Sequence, residues 1–368
     1  MQPTEHWLLM ERGETEAARY TARFESLGLA LPEHRLSTEA LLSSCVHHPN
    51  IDLERLTGVR ERRVCNEGED SRSLAIAAAR DCLAHSGHRA EEIEMLVSAS
   101  ISKYSGGLHH RLEPTMALDV ARAIGAQPGR VFDLSNACAG MLSSIFVLND
   151  FIRRGAIRCG MAVSGECISN LGTNAAKQIR TIMSSQLASL TLGDAGVAAI
   201  VERAPAGKEK EGITFAGFTT LAEHSRLCIG VPSKVGPGAS MFTDARTIHK
   251  VAVQDAPALL AEALRESGLT FGQVDWLIPH QTSSRAIRKG AKEISERLGF
   301  SPKHIVDNIA ERGNTASTTH FVALYEYLEA GRFAKGDEVL LLSFASGLEV
   351  GIVLFRMDEL VERYGHPH

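Results

Sequence analysis

Three residues with chemically useful side chains each follow a segment that has the pattern of a strand. The first is Cys138 in DLSNACAGM, between the strand-like VFDL and a helical pattern, which predicts a thiol at a helix N-terminus. The unpaired N–H groups and the dipole of a helix start stabilise a thiolate, the nucleophilic form of cysteine. The small neighbours Ala137, Ala139 and Gly140 let a substrate backbone come close. Taken alone, however, such a cysteine is more often a buried structural thiol.

The other two residues are His280, in LIPHQTSSR, and Asn314, in ERGNTAS. His280 ends an apolar strand and precedes a helix that carries Arg285. Asn314 follows Gly313 at an expected sharp turn before a helix. Each has an ordinary structural explanation when taken alone. His280 fits a hydrogen-bonded core residue, Asn314 a helix N-cap, and Arg285 a solvated helix charge.

The elements that must position these residues follow an α/β pattern. Short apolar runs rich in Val, Ile and Leu alternate with longer helical patterns. The helical patterns at 73–87 and 258–268 each end in Gly and each begin a similar series of elements, so an internal duplication is the simplest explanation. The buried strands expected from the apolar runs are 94–102, 157–166 and 196–204 in the first half, and 274–283, 337–346 and 349–357 in the second.

The duplication divides the chain into an N-terminal extension (1–21), a first half with the cysteine (22–204) and a second half with the histidine and asparagine (205–368). The linker expected between the halves is APAGKEKEG (204–212), which combines Pro, Gly and a charge run. Because the three chemically useful residues lie at strand ends in corresponding parts of the two halves, they can converge across a pseudo-twofold axis.

Composition excludes several classes of function. The chain has 368 residues, with 39 Lys and Arg against 44 Asp and Glu, so it offers no overall field for nucleic acid or an anionic membrane. No segment approaches the roughly 18 apolar residues of a membrane span. The start lacks the layout of a signal peptide. Seven scattered cysteines without CxxC spacing argue against a zinc site and fit a reducing cytosol, so a cytoplasmic protein without a bound metal is expected.

Several ordered motifs together resemble β-ketoacyl-acyl-carrier-protein synthase III, of the thiolase superfamily. They are DLSNACAGM, DWLIPHQTSSR, ERGNTAS and FASGLEVG, with TGVRERR at 57–63 and the turn GDAG at 193–196. The resemblance covers about residues 22–358. It implies a five-layered αβαβα fold built from two duplicated halves, and a homodimer. It also implies thioesters of coenzyme A or of an acyl carrier protein as substrates and partners, with no further cofactor.

The resemblance assigns a role to each motif residue. Cys138 takes the acyl group, because a thiol ester is both formed and broken readily. A second thioester then attacks as a carbanion in a Claisen condensation, while His280 and Asn314 donate hydrogen bonds to its carbonyl. The backbone N–H groups of Cys138 and Ser346 form the oxyanion hole. Arg285 matches a basic position near the pantetheine arm or the carrier protein.

Some positions depart from the usual synthase III pattern. Asp52 and Leu56 stand where many members carry a Trp and an Arg that hold the coenzyme A nucleotide. The donor is therefore expected to be a carrier protein or a differently held coenzyme A. Met141 replaces a frequent aromatic residue and is expected to line the acyl tunnel.

The LEPT segment carries the departure with the largest chemical consequence. Its Glu113 resembles a glutamate of the head-to-head olefin-pathway enzymes and the α-pyrone ketosynthases, which join two long acyl chains. That glutamate crosses the dimer interface and removes a proton from the α-carbon, a role that burial in an apolar tunnel favours. An exposed loop glutamate is the simpler alternative. The adjacent His109 and His110 are expected on the loop surface.

Two forms of the reaction therefore remain open. One is decarboxylative extension with a malonyl thioester, and the other is Glu113-assisted joining of two acyl chains, in fatty-acid, polyketide or specialised lipid biosynthesis. The alternative function is acyl transfer to a hydroxyl or amine on the same fold. Retention of both His280 and Asn314 argues against it, since simple transfer has no enolate to stabilise. Cys138 likewise argues against a non-catalytic partner subunit.

Overall fold

The computed structural model describes residues 20–208 and 211–364. Most of the expected N-terminal extension (1–21) lies outside the described residues, as do positions 209–210 of the expected linker. The described strands are β1 (Ala22–Ala30), β2 (Arg35–Ser37), β3 (Glu61–Arg63), β4 (Met95–Ser98), β5 (Arg130–Asp133), β6 (Cys159–Glu166), β7 (Ala195–Arg203), β8 (Gly212–Thr220), β9 (Cys228–Pro232), β10 (Ala239–Thr243), β11 (Trp276–Pro279), β12 (His304–Ile305), β13 (Glu338–Ala345) and β14 (Glu349–Arg356). The described α-helices are α1 (Thr38–Ser43), α2 (Leu53–Thr57), α3 (Ser71–Ala84), α4 (Met116–Ile124), α5 (Gly140–Arg153), α6 (Ser169–Ala176), α7 (Ala245–Ser267), α8 (Ser284–Leu298), α9 (Ile309–Arg312), α10 (Thr319–Glu329) and α11 (Leu360–Tyr364).

Two five-stranded sheets repeat one topology. The first has the order β1-β7-β6-β4-β5, and the second has the order β8-β14-β13-β11-β12. In each sheet the first two pairings are antiparallel and the last two are parallel. The strands correspond one to one in chain order, which confirms the predicted duplication of α/β halves.

The sheets and helices form five layers. Helices α5 and α10 lie between the two sheets and share one core with both. Both helices bury side chains on more than one face, as a helix covered on both sides must. Outside this centre, α3 and α4 cover the first sheet, and α7 and α8 cover the second. The fold is therefore the predicted αβαβα arrangement.

Some elements differ from the sequence-based expectations. The helix expected at 258–268 is the end of the longer α7. This helix begins after Asp244, and the Asp244 side chain caps it by accepting a hydrogen bond from the Thr247 N–H at 3.0 Å. Strand β1 was not expected, because Glu25 interrupts its apolar pattern. That carboxylate is buried and accepts hydrogen bonds from the Ser86 hydroxyl and the Gly87 N–H. Within the described ranges, none of the helices combines the length and apolar character that crossing a bilayer needs.

Candidate active site

Cys138 lies in a short 3-10 turn, Ala137–Ala139, directly before α5. The preceding Ala137 has a left-handed backbone with φ of 43°, which is uncommon for a residue with a side chain and marks a constrained turn. Gly140 lets this turn approach β4's end, since a Cβ there would meet the Ala99 carbonyl oxygen at 3.0 Å. The cysteine is thus held at a helix start, where the sequence placed it.

The thiol does not have the electrostatics that its position predicted. Cys138 packs against the apolar side chains of Ile168, Leu171 and Leu192. This burial raises the pKa of the Cys138 thiol, and the nearby Cys228 and Glu166 raise it further. These effects oppose the resting thiolate that the helix start predicts, since desolvation disfavours the charged form. The thiol must lose its proton to a base when it reacts.

His280 follows β11 and is anchored through both its backbone and its ring. Its N–H donates to the Leu342 carbonyl at 2.9 Å, and Nδ1 lies 2.6 Å from the Phe344 carbonyl. A carbonyl only accepts, so the proton of the neutral ring sits on Nδ1. Burial lowers the pKa of His280, although the contacts with Phe344 and Asn314 oppose this. The ring is therefore neutral at neutral pH, with a lone pair on Nε2.

Asn314 lies beside Nε2, and because its Oδ1 is itself an acceptor, this contact is a hydrogen bond only when Nε2 carries a proton. Its Oδ1 is 3.2 Å from His280 Nε2 and accepts the Ala316 N–H at 2.9 Å. The Asn314 backbone is tied to the first half, since its N–H donates to the Thr191 carbonyl at 2.8 Å. Preceding Gly313 has φ of 64° and no room for a Cβ, which would lie 2.5 Å from that same Thr191 oxygen. With Oδ1 occupied, the side-chain N–H₂ is the group of Asn314 that is left to donate a hydrogen bond.

This geometry changes the expected role of His280. The motif resemblance made His280 and Asn314 two hydrogen-bond donors to a thioester carbonyl. While the ring is neutral with its proton on Nδ1, Nε2 has no proton to donate to Asn314 or to a substrate and can only accept one. Once Nε2 has taken up a proton, both ring nitrogens donate and the expected stabilisation becomes available. Asn314 is a donor throughout.

One cavity joins the candidate residues. Cys138, His280, Asn314 and Ser346 all line a cavity of about 2030 Å³. This volume exceeds the roughly 300–1,000 Å³ of ordinary ligand pockets. Its apolar part lies between α6, the segment 182–192 and the β9–β10 hairpin, and we name it the apolar arm. The apolar arm is lined by Leu171, Ile182, Met183, Leu187, Leu192, Val231 and Met241.

Another part of the cavity lining carries charged side chains of both signs, since Asp244, Glu293 and Glu296 lie among its basic residues. Helix α7 contributes Arg246 and Lys250, and helix α8 contributes Arg285 and Lys289. We name these four side chains the basic rim. Arg285 is exposed at the mouth, where it can meet an incoming anionic group.

Two other sequence predictions have different outcomes. Met141 does not line the cavity; it is completely buried in the core between the sheets, because α5 turns this side chain away from Cys138. Its expected place in the acyl tunnel is therefore wrong. Glu113 is exposed on its loop and does not line the cavity of a single chain. Its action across a dimer interface stays a prediction. His109 and His110 are exposed as expected, although His110 also borders the cavity.

The departures at the coenzyme A position also have a structural explanation. Asp52 caps α2, and its side chain accepts the Arg55 N–H at 2.8 Å. Leu56 is 39% exposed and lines the cavity. This wall is apolar rather than a clamp for a nucleotide base.

Sequence reasoning missed parts of the site. The β9–β10 hairpin forms a wall of the cavity, and the turn residues in SKVGPG between its strands were the available signal. A second missed group comprises Cys65, Cys167 and Asp194, whose ligand atoms lie within 4.8 Å of one another. Both Asp194 oxygens already accept hydrogen bonds, from the N–H groups of Cys65, Ile168 and Ser169 and from the Ser169 hydroxyl. We interpret this group as a hydrogen-bond hub rather than a metal site.

Comparison with known proteins shows which family the chain resembles. Residues 132–220 match the family model of 3-oxoacyl-[acyl-carrier-protein] synthase III, and residues 264–357 match the model of its C-terminal part. The β-ketoacyl-[acyl-carrier-protein] synthase III of Symbiobacterium thermophilum is 30% identical over 338 residues, which cover 90% of this chain and 96% of the relative. The enzyme of the same name from a Synechococcus species is 28% identical, over 90% of this chain and 96% of its own.

Solved structures share the fold. Cerulenin-bound OleA of Xanthomonas campestris superposes with a TM-score of 0.79 at 22% identity, over 91% of this chain and 97% of that one. The 3-oxoacyl-[acyl-carrier-protein] synthase III of Aquifex aeolicus gives 0.77 at 24% identity, over 91% and 99%. Aligned over 90% of its length with a synthase III relative, the chain belongs to the β-ketoacyl-[acyl-carrier-protein] synthase III family of condensing enzymes.

Proposed function

We propose that this condensing enzyme loads an acyl group from a thioester onto Cys138 and then joins it to a second acyl or malonyl thioester by a Claisen condensation. The observation that carries the proposal is the convergence of Cys138, His280 and Asn314 from two halves of the chain onto one cavity. Simple acyl transfer would need only the first of these residues and a base.

In the loading step, the Cys138 thiol gives its proton to His280 Nε2 while sulfur attacks the thioester carbonyl. The backbone N–H groups of Cys138 and Ser346 would hold the resulting oxyanion, and each such donor typically contributes about 3 kcal/mol. The tetrahedral intermediate collapses with cleavage of the carbon–sulfur bond to the departing thiol. That sulfur takes the proton back from His280, which leaves an acyl group on Cys138 and a free thiol.

In the condensation step, a carbanion forms on the second thioester, either by loss of CO₂ from a malonyl group or by removal of an α-proton. Asn314, and His280 when it is protonated on Nε2, would donate to the enolate oxygen as its charge develops. The carbanion attacks the acyl carbon on Cys138, so that a carbon–carbon bond forms and the carbon–sulfur bond breaks. The departing Cys138 thiolate takes up a proton, which comes from the base that removed the α-proton or, after loss of CO₂, from water. The steps need no redox partner, and we propose that no further cofactor takes part.

The cavity supports a fatty or ketide acyl group and an anionic carrier. The apolar arm begins at Cys138 and can hold a hydrocarbon chain, for which each buried methylene contributes about 0.8 kcal/mol. The basic rim, with Arg285, would receive the phosphate of a pantetheine arm, on coenzyme A or on an acyl carrier protein. The apolar wall at Leu56 favours the carrier protein or an unusual placement of the nucleotide.

We also propose a homodimer and a cytoplasmic location. Strand β5 forms an edge of the first sheet, and Lys103 links the loop that carries Glu113 to Asp133 of that strand with an ion pair of 2.8 Å. Leu112 beside this edge is 75% exposed, as an interface residue is in an isolated chain. The seven cysteines are all free, which fits a reducing compartment.

Product analysis tests the proposed reaction. The protein should be incubated with one long-chain acyl thioester, and then with either a malonyl thioester or a second acyl thioester. Carbon–carbon bonded products support the function, and free acid or transferred acyl groups alone would refute it. Glu113→Gln should remove only the product of two acyl chains, because that reaction needs an α-proton base. A Glu113→Gln enzyme that still joins two acyl chains would show that Glu113 is not the base.

A further inference from the structure

Glu166 is a buried carboxylate that none of the steps above uses. It ends β6, and its side chain is completely buried. The sequence offers a signal for it, since a glutamate closes an otherwise apolar and small-residue strand. A buried carboxylate at the end of a strand is expected to have hydrogen-bond partners for both of its oxygens.

Its first group of partners belongs to the cavity wall in the first half. Oε1 accepts the Ile101 N–H at 2.8 Å, while Oε2 accepts both the Ser102 N–H at 3.0 Å and the Ser102 hydroxyl at 2.8 Å. Ile101 and Ser102 line the cavity that contains Cys138. The carboxylate therefore fixes this wall.

Its second partner belongs to the other half of the chain. The Ser317 hydroxyl donates to Glu166 Oε1, and Ser164 lies 2.7 Å from the same hydroxyl. Ser317 sits in the 3-10 turn Ala316–Thr318, immediately after Ala316, whose φ is 53°. Ala316 in turn holds the Asn314 side chain through its N–H. A turn with a left-handed alanine persists only where its surroundings fix it, and the bond to Glu166 does so.

We propose that Glu166 and Ser317 are positioning residues for the condensation step, and that they act by fixing the turn that orients Asn314. This inference rests on the proposed function, because it assigns the Asn314 amide a role in condensation. It predicts that a change at Ser317 affects condensation more than the loading of Cys138. Neither Glu166 nor Ser317 lines the cavity, so neither contacts substrate.

Substitutions of Glu166 and Ser317 differ in how many other contacts they disturb. In Glu166→Gln, the new N–H₂ would face a backbone N–H in either orientation, since Ile101 and Ser102 donate to opposite oxygens. That variant disturbs the cavity wall as well as the Asn314 turn. Ser317→Ala removes the hydroxyl that bonds Glu166 and Ser164, and it leaves the other hydrogen bonds of Glu166 in place. A matched control is Ser26→Ala, which removes a buried hydroxyl from β1, where it lies 3.3 Å from Cys82 Sγ.

The experiment measures the two half-reactions separately in wild type, Ser317→Ala, Ser26→Ala, Asn314→Ala and the double variant Ser317→Ala/Asn314→Ala. Loading is followed by the release of one thiol per site, and condensation by product formation from the loaded enzyme. We expect Ser317→Ala to slow condensation about tenfold, because an active-site misplacement of about 1 Å can cost up to 100-fold. Loading should fall less than condensation, and Ser26→Ala should match wild type in both steps.

The double variant separates positioning from general damage. If Ser317 acts through Asn314, adding Ser317→Ala to Asn314→Ala slows condensation no further. A full additional loss in the double variant, or equal losses of loading and condensation in Ser317→Ala, would overturn the proposal. A crystal structure of Ser317→Ala gives a test that does not depend on the reaction. An Asn314 side chain that stays bonded to the Ala316 N–H refutes the positioning role, whereas a wild-type enzyme that forms no condensation product refutes the proposed function instead.

Discussion

The turn that carries Cys138 and the turn that carries Ser317 are equivalent parts of the two halves. Each follows the last strand of its sheet order, β5 or β12, and each precedes the central helix of its half, α5 or α10. Each begins with a left-handed alanine, Ala137 with φ of 43° or Ala316 with φ of 53°. The next residue is Cys138 in the first half and Ser317 in the second.

The environments of these two turns differ completely. Cys138 opens onto the cavity, whereas Ser317 is buried and donates to the Glu166 carboxylate. The same constrained backbone therefore presents a thiol to the cavity in one half and holds a buried hydroxyl against a carboxylate in the other. The duplicated fold supplies the geometry, and the burial of each side chain decides its use.

The largest expected effect on condensation comes from removing the thiol at 138 and placing one at 317 instead. Cys138→Ala should abolish condensation, with a loss of about 10³-fold or more, because no other residue accepts the acyl group. Adding Ser317→Cys to that variant should not restore an acyl adduct, since residue 317 has no access to the cavity. Mass spectrometry of the intact protein checks both variants. An adduct on a cysteine at 317 would contradict the contrast between the turns.

Asn314→Ala should have the next largest effect. Loss of one preorganised hydrogen-bond donor to a developing oxyanion typically lowers kcat by about 10²–10³-fold. Because Asn314 acts on the second thioester, the loading of Cys138 should continue. Rapid-quench measurement of the two half-reactions checks this. Equal loss of loading would show that Asn314 also serves the first step.

The pH dependence of the loading step tests the states of His280 and Cys138. The pKa of His280 is lowered from 6.5 by burial, so its neutral, proton-accepting form is lost only as the pH falls below that value. Loading should therefore be steady at neutral pH and decline on the acid side of about 6.5. Alkylation of Cys138 by iodoacetamide should still increase above pH 9.0, because burial raises the pKa of this thiol. A plateau of alkylation below neutrality would instead indicate a stabilised thiolate.

The smallest effects concern the left-handed alanines themselves. Ala137→Gly and Ala316→Gly should change the free energy of unfolding by less than about 1 kcal/mol, because relief of the positive φ offsets the greater chain entropy of glycine. Ala316→Val should destabilise by about 1–3 kcal/mol, since a β-branched residue fits this backbone poorly. Urea denaturation of the three variants measures these differences. A marked loss in both glycine variants would show that the turns are not strained.

Much of the fold and the central residues of the site followed from the sequence. Strands such as β7 and β13 are nearly continuous apolar runs, which a buried sheet in an α/β fold requires. Cys138, His280 and Asn314 could be identified because each follows a strand in a repeated order. The sequence did not predict strand β1 or the β9–β10 hairpin. Glu25 interrupts the apolar pattern of β1, and the two strands of the hairpin are short.

The properties that the sequence did not predict depend on residues that only the folded chain brings together. The raised pKa of Cys138 arises from apolar side chains distant in sequence, such as Leu192. The proton position on His280 depends on the Phe344 carbonyl, which only the folded β13 brings near. Met141 was misplaced because spacing gives a helical position but not which neighbours the position faces. Glu166 and Ser317 are separated by 151 residues and meet only in the folded chain.

The most direct test is to trap the acyl group on the nucleophile. Asn314→Ala enzyme should be mixed with an acyl thioester and then with the second thioester, digested, and mapped by mass spectrometry. We predict one acyl group per chain, on Cys138, which persists in Asn314→Ala and is discharged by the second thioester in wild type. An acyl group on another residue, or none in either protein, would contradict the assignment of Cys138 as the acyl acceptor.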